Sequence, residues 1–472
     1  MGSVNEQKFV ENALFIAHEK FRKRNPRSQQ AHHDAKIHLP GGNTRTVLHA
    51  EPFPVTWASG KSATLTSVDG EEYVDFLGEF SAGIFGHSNQ QICDAIRSAM
   101  DGGWNFGGNS VWEKKLAKSM CERFRPSGMD LVRFTNSGTE ANTTVIAAAV
   151  AITGKKKILV FSSGYHGSTL VFPASSIQNR IPSVMNLPHE FIYAPYNNIE
   201  ETRLVLSSAG TNSLAAILVE PIQGSGGCRP ASPQFLHFLR EVADNTKALL
   251  IVDEVMASRL GKSGYVAEIG IKADFLTLGK YLGGGMTFGA FGGRKDLMER
   301  FDPSRAQLFH PGTYNNNVFS MAAGFEGLKI FNPSEVERLN KLGDTLKSKI
   351  QKILIDNKVY PATVKDSSAT LIEVDRLVGP TTFYVGNSLT EKCQTPFMMI
   401  TGQGSMLNVR FTGNDAPLWQ NLFYHFMLAR NIYIATRGYT PLNLCLTEND
   451  IDRYAAAVGE FVSQHKTAFS LD

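Results

Sequence analysis

Two side chains in this sequence have the type and the setting for covalent chemistry on a carbonyl. Lys280 follows the apolar run Phe275-Leu276-Thr277-Leu278 and precedes three glycines, Gly283 to Gly285. A lysine at the end of a buried run is partly desolvated, which disfavours the ammonium and leaves a nucleophilic amine. Such an amine condenses with an aldehyde to a Schiff base. Asp253 stands 27 residues earlier, in Ile251-Val252-Asp253-Glu254-Val255. A carboxylate ending an apolar strand can pair with a protonated pyridine nitrogen and keep that ring cationic. Amine and acid together are the two protein groups that pyridoxal 5'-phosphate chemistry requires.

That cofactor also needs a phosphate cradle, a ring stack and a clamp for the substrate. FTNSGTEAN, Phe134 to Asn142, reads as a strand, a Ser-Gly-Thr turn and a helix. Free amides at a helix N-terminus bind phosphate, Gly138 permits close approach, and Ser137 and Thr139 add hydroxyls. The same residue types are ordinary N-caps. The helix dipole contributes only about 0.3–2 kcal/mol, so a further donor is expected, and Thr313 in HPGTYNNN supplies one. Tyr165, in FSSGYHGS, suits a lid on a pyridine face or core packing. His166 reads as its neighbour rather than as an acid–base group. Glu220 ends AAILVE before Pro221, where a carboxylate contacts the ring's hydroxyl side or restrains a substrate group. Arg45 and Arg437 lie in loops far apart in sequence; each is a bidentate carboxylate clamp or a solvated charge. Phe80, Ile84 and Phe85 offer an apolar pocket.

The elements that position these residues alternate from Leu131 onward. Residues 131–134, 157–161, 215–220, 248–254 and 274–279 are short apolar runs, and 138–152 is an Ala-rich helix. Strands apolar on both faces predict a largely parallel sheet covered by helices. Ligands bind such sheets at the carboxyl ends of the strands, where Asp253, Lys280 and the 135–142 turn all fall. Before this region the pattern predicts a helix over 5–23 stopped by Pro26, its basic end solvated, then a hairpin within 62–77 around Val68-Asp69-Gly70. Helices follow at 90–100 and 112–123. Beyond it come a connector helix at 334–355, strands near 369–374 and 404–411, and helices near 416–430 and 448–465. Residues 376–400 read as irregular. The fold class is α/β, with an N-terminal segment 1–65, a large domain 66–335 and a smaller α+β domain 336–472.

Composition restricts the function classes. The chain has 472 residues, 42% hydrophobic and 19% charged, with a net charge of +3. So small a charge gives no reason to expect a nucleic-acid or anionic-membrane partner. Five scattered cysteines form no CxxC pair and no zinc spacing, so reduced thiols and no metal are expected. No apolar run of spanning length and no signal-peptide pattern is found, which predicts a cytoplasmic protein. No GxGxxG opens a helix after the first strand, against a nicotinamide dehydrogenase.

VRFTNSGTEAN, GYHGS, ILVEPIQGSGG, LLIVDEVMASR, DFLTLGKYLGGGMTFGAFGGR and GTYNNN, in that order, resemble the class III aminotransferases. These are fold-type I pyridoxal-phosphate enzymes, and the resemblance is greatest to the glutamate-1-semialdehyde aminomutase-like branch. It runs from Arg45 to the C-terminus and is weakest at 360–400. GGNTRTVLHAEPFP and IATRGY resemble the β-amino-acid, notably β-phenylalanine, aminotransferases of that branch. The resemblance implies a mostly parallel seven-stranded sheet with a smaller α+β domain. It implies that Lys280 forms the Schiff base and shuttles the proton, and that Asp253 pairs with the pyridine nitrogen. Gly138 and Thr139 would hold the phosphate, Tyr165 would stack on the ring and Glu220 would line the pocket. Thr313 would reach the phosphate in the other subunit of a homodimer. Arg45 and Arg437 would bind carboxylates as the amine passes from a β-amino acid to a 2-oxo acid such as 2-oxoglutarate or pyruvate. An aminomutase and a catalytically silent cofactor-binding protein are the alternatives.

Overall fold

The apolar runs assemble into one sheet, because side chains buried on both faces require helices above and below. The computed structural model describes residues 2–173, 184–375, 382–385 and 389–469. In spatial order the sheet's seven strands are Leu131–Thr135, Gly289–Gly293, Phe275–Gly279, Leu249–Asp253, Leu214–Val219, Lys157–Phe161 and Glu190–Ala194. Gly289–Gly293 runs antiparallel to both neighbours; the other adjacent pairs are parallel. Alternate residues feed two cores, as a period of two dictates. Ile158, Val160, Ala216, Leu218 and Ile251 share one core with Ala141, Val145 and Ile146 of helix Gly138–Thr153. Leu159, Ile217, Val219, Leu250 and Val252 share the other with Phe235, Leu236 and Leu239 of helix Pro233–Thr246.

Two of these strands were not among the expected runs. A Cβ on Gly289 would lie 2.1 Å from the carbonyl oxygen of Ser137, and one on Gly293 would lie 2.1 Å from that of Asp274. Backbone crowding forces glycine there, and glycine carries little strand signal. Glu190–Ala194 is an edge strand, only partly buried along most of its length.

At the N-terminus, helix Gly2–Arg24 ends before Pro26, as predicted, but Pro26 opens a second helix, Pro26–Ala35. Proline suits that first position, where its missing N–H is not needed. The basic end is not simply solvated. Arg24 pairs with Glu71 and donates to Asn431 Oδ1 at 2.5 Å and to the carbonyls of Leu428 and Ala429 at 3.5 and 3.4 Å. It thus caps helix Ala416–Leu428. The predicted hairpin is Thr64–Ser67 with Glu72–Asp75, flanked by Trp57–Lys61 and, in parallel, Ile432–Tyr433. The boundary expected at 65/66 therefore falls inside a hairpin that pairs with the C-terminal part.

That part holds helices Pro333–Asp356, Ala416–Leu428 and Glu448–Gln464. One three-stranded sheet contains Leu371–Val374, Thr382–Val385 and Lys392–Cys393; another contains Met398–Gln403, Met406–Phe411 and Tyr439–Pro441. Residues 376–400 are thus not irregular throughout, although 376–381 and 386–388 lie outside the described residues. Strands of two and four residues are too short to show a period. Met398–Gln403 returns through a tight turn at Gly404, φ +51°, a signal the sequence pattern alone did not expose. Among the described residues no helix is long and apolar enough to cross a membrane.

Candidate active site

The parallel strands deliver their chemistry at one edge. Asp253 is the last residue of its strand, Lys280 follows Gly279 directly, Glu220 follows Val219, and Tyr165 lies four residues past Phe161. Asp253 pairs with Thr277 across the parallel ladder, which sets Lys280 three residues further along the neighbouring strand.

Asp253 is 5% exposed, and both of its oxygens are engaged. Oδ2 accepts from Asn142 Nδ2 at 2.8 Å and meets His166 Nδ1 at 2.8 Å; Oδ1 accepts from the Val255 amide at 3.0 Å. An ionised Asp253 places the proton of that imidazole on Nδ1. Asn142 in turn accepts from Thr277 Oγ1 at 2.7 Å and donates to the His166 carbonyl at 3.0 Å. Sequence reasoning treated His166 as a bystander and passed over Asn142 and Thr277. A polar amide within an Ala-rich buried helix was the available signal, since buried polar groups find partners.

Lys280 sits at φ +54°, a left-handed conformation that side chains other than glycine avoid. Among the described residues its amine has no hydrogen-bond partner. Burial holds its ammonium below the usual lysine range; Asp253, Glu79 and Glu220 pull it back up, and Arg45 pushes it down further. Glu220 is buried and accepts from the amides of Tyr165 and Gly224, both at 3.0 Å. Burial pushes its carboxyl up to about 7; His166 lowers it and Asp253 raises it.

At the phosphate turn Ser137 Oγ accepts from the Glu140 amide at 3.2 Å, and Glu140 reaches back to the Asn136 amide at 2.9 Å. Ser137 is therefore a helix cap. The amides of Gly138 and Thr139 stay free of intrahelical acceptors, as first-turn amides must. Gly138 has a second reason to be glycine: a Cβ there would lie 2.8 Å from Val255 Cγ2. Thr139 packs under Gly167, whose Cβ would fall 2.4 Å from Thr139 Oγ1. Tyr165 is 42% exposed, which favours the lid over core packing.

Arg45 Nη1 lies 2.5 Å from Glu79 Oε1, with its guanidinium 5.6 Å from the Phe80 ring centre. Arg437 Nη1 donates to Ser225 Oγ at 3.3 Å and faces Tyr165. The expected apolar trio is corrected. Ile84 and Phe85 are buried in the main core, whereas Phe80 is partly buried against it and stacks under Arg45. Thr313 is exposed on its loop. Asn315 of that loop accepts from Asn136 Nδ2 at 3.1 Å, so the loop leans on the phosphate turn.

Residues 47–374 match the model of the family described as aminotransferase class-III. The chain belongs to the class III aminotransferases. A β-phenylalanine transaminase from Variovorax paradoxus is 40% identical over 468 residues, 97% of this chain and 97% of that protein. The crystal structure of a β-phenylalanine aminotransferase from Variovorax paradoxus matches with a TM-score of 0.86 at 39% identity, covering 98% of this chain and 99% of that one. A glutamate-1-semialdehyde 2,1-aminomutase from Methanococcus maripaludis is 36% identical over 347 residues, 71% of this chain and 80% of that protein.

The donor set of this aminotransferase fits pyridoxal phosphate. It offers an unpartnered, desolvated amine beside a clamped buried carboxylate, and a glycine turn whose amides point out of a helix N-terminus.

Proposed function

We propose that this aminotransferase moves the amine of a β-amino acid to a 2-oxo acid such as 2-oxoglutarate or pyruvate. The observation that carries the reading is the setting of Lys280. Its buried amine feels the charges of Asp253, Glu79, Glu220 and Arg45, and it directly follows the strand paired with that of Asp253. The likeness to a β-phenylalanine transaminase over nearly the whole chain supports the choice of donor.

When bound, pyridoxal phosphate supplies an electron-accepting ring that carries the amine between donor and acceptor. The protein does the rest. Asp253 keeps the ring nitrogen protonated, and His166 and Asn142 hold Asp253 for that task. Gly138 and Thr139 amides, with the Ser137 and Thr139 hydroxyls, take the phosphate; Tyr165 covers the ring and Glu220 lines its edge. Lys280 Nζ removes the proton from the substrate carbon bearing nitrogen, which its lowered basicity suits. Arg45 and Arg437 orient carboxylates, and Phe80 packs an aryl or alkyl side chain.

The active unit is a homodimer in this proposal, with Thr313 reaching the phosphate held by the other subunit. Phe309 at 92% exposed and Tyr314 at 61% exposed, on the same loop, are large side chains in search of a cover. We keep the division into an N-terminal segment, a large domain and a small C-terminal domain, with the first boundary moved past the hairpin that ends at Asp75.

The test is a panel of α-, β- and ω-amino donors against 2-oxoglutarate and pyruvate. Turnover of β-amino acids that requires an added 2-oxo acid is expected. Activity confined to amines without a carboxylate would overturn the reading, and turnover with no acceptor would make the enzyme an aminomutase. Lys280→Ala should abolish the visible band that depends on the covalent bond between cofactor and Lys280, and with it repeated turnover.

A further inference from the structure

We infer that Asp375 is a positioning residue for Tyr165 and Glu220, acting from outside the site through Ser162 and Arg229. The inference rests on the transaminase reading above, in which Tyr165 and Glu220 line the cofactor.

The proposed chemistry leaves a buried cluster of charges unused. Arg229, Glu373 and Asp375 are all buried. Arg229 Nη1 donates to Asp375 Oδ2 at 2.8 Å; its Nη2 lies 2.7 Å from Asp375 Oδ1, and its Nε lies 3.1 Å from Glu373 Oε2. Arg410 pairs with Glu373 as well, so two cations face two carboxylates. Taking such ions out of water is costly, and apolar replacements of a buried pair are often neutral or stabilising. Stability is thus a weak reason for the cluster, and its geometry supplies a stronger one.

Asp375 Oδ2 also accepts from Ser162 Oγ at 2.7 Å, across 213 residues of chain. Ser162 follows strand Lys157–Phe161 and stands three residues before Tyr165. The bonds from there close a circuit. The Ser162 carbonyl accepts from Gln223 Nε2 at 2.7 Å, and Gln223 pairs with Arg229 across the short ribbon Ile222–Gln223 with Arg229–Pro230. At the other end of the segment, the Tyr165 amide donates to Glu220 Oε2 and the Gly224 amide, next to the ribbon, to Oε1, both at 3.0 Å. Tyr196 Oη donates to the Glu220 carbonyl at 2.9 Å, with that of Arg229 at 3.2 Å. Residues 162–165 are therefore tied to the ribbon at both ends. Ser163 between them holds φ +63°, a conformation that its surroundings must sustain. One oxygen of Asp375 is where segment and ribbon meet, because it takes both Ser162 Oγ and Arg229 Nη1. Asp375→Asn keeps the shape. Whichever way round the amide sits, one Arg229 nitrogen then faces an N–H, donor on donor.

The experiment follows hydrogen exchange by mass spectrometry in the full-length protein, with pyridoxal phosphate bound and without it. Asp375→Asn should speed exchange about tenfold in the peptides that hold the Tyr165 and Gly224 amides, the low end of what a hydrogen bond to a charged group is worth. Peptides of strand Leu249–Asp253 should exchange as in the wild type. Ser162→Ala removes only a hydroxyl and carries the test should Asp375→Asn fail to fold. It should loosen the Tyr165 peptide too, and the double variant should be no faster there than Asp375→Asn alone, as for residues that act through one contact. Pyridoxal phosphate titrated into each cofactor-free variant should bind more weakly by a similar factor, about tenfold. A wild type that takes up no pyridoxal phosphate sinks the transaminase reading and with it the site that Asp375 serves. With a wild type that binds normally, three results overturn this inference alone. One is unchanged exchange at Tyr165 and Gly224. Another is exchange that quickens equally in Leu249–Asp253, as a merely structural role requires. The third is unaltered cofactor affinity in a variant whose Tyr165 peptide has loosened.

Discussion

Asp253 shows how much a single carboxylate asks of its surroundings. Two side-chain donors, Asn142 and His166, converge on one oxygen and a backbone amide holds the other. This fixes the plane of the carboxylate and leaves a lone pair on Oδ1, which the proposed pairing with a ring nitrogen would use. Asp253→Asn keeps the shape but removes the charge. It also turns an amide N–H or a weaker carbonyl acceptor toward groups that expect a carboxylate. In the proposed site the ring nitrogen would then lose its counter-ion. The expected result is a kcat lower by roughly 10²–10³-fold, the scale of losing one preorganised electrostatic contact, with cofactor still bound. Stopped-flow half-reactions with a β-amino acid donor would measure it. Asn142→Ala should move kcat in the same direction by less, since His166 still holds Asp253.

Among the elements, the connector helix Pro333–Asp356 contains a fault that can be read as pH dependence. Lys347 is 7% exposed and donates to the Gly402 carbonyl at 2.8 Å. Burial lowers its ammonium from the ordinary 10.5 to about 8, with Asp344 partly opposing. Below that value the folded chain keeps the charge, but at a cost in stability relative to the unfolded chain. Between about 8 and 10.5 the folded state binds fewer protons than the unfolded one, so stability rises with pH across that window. The full penalty is about 3 kcal/mol, and the bond to Gly402 returns about 1–2 kcal/mol. Lys347→Met should therefore stabilise the protein at neutral pH by about 1–2 kcal/mol and flatten that alkaline rise, as denaturant titrations at several pH values would show. The same scale explains what was legible in the sequence. Apolar runs such as Leu249–Asp253 and Phe275–Gly279 announce themselves, because burial on both faces leaves no polar interruption. Gly289–Gly293 does not, because its identity answers to the neighbouring backbone rather than to strand propensity. Lys280, Asp253, Glu220 and Tyr165 were legible because each ends or follows such a run. Asn142, Thr277 and Glu79 were not: their roles come from partners 111, 135 and 34 residues away in the chain.

At the scale of the whole molecule the proposed homodimer turns on where Thr313 acts. It is exposed, and its loop carries Phe309, 92% exposed. If Thr313 serves the phosphate of the other subunit, each site is built from two chains, and two differently damaged chains can repair one another. A heterodimer of Lys280→Ala with Thr313→Ala provides the case. One of its sites lacks both groups and is dead. The other combines the intact Lys280 of the Thr313→Ala chain with the intact Thr313 of the Lys280→Ala chain. That site should bind pyridoxal phosphate with wild-type affinity and turn over at the wild-type rate, giving half the activity per dimer. The Thr313→Ala homodimer should bind the cofactor more weakly, by about 1 kcal/mol or more for a lost hydrogen bond to a charged group. Tagged, co-purified heterodimers titrated with cofactor would separate the cases. Affinity equal to that of the Thr313→Ala homodimer would place Thr313 in its own subunit's site, or in none.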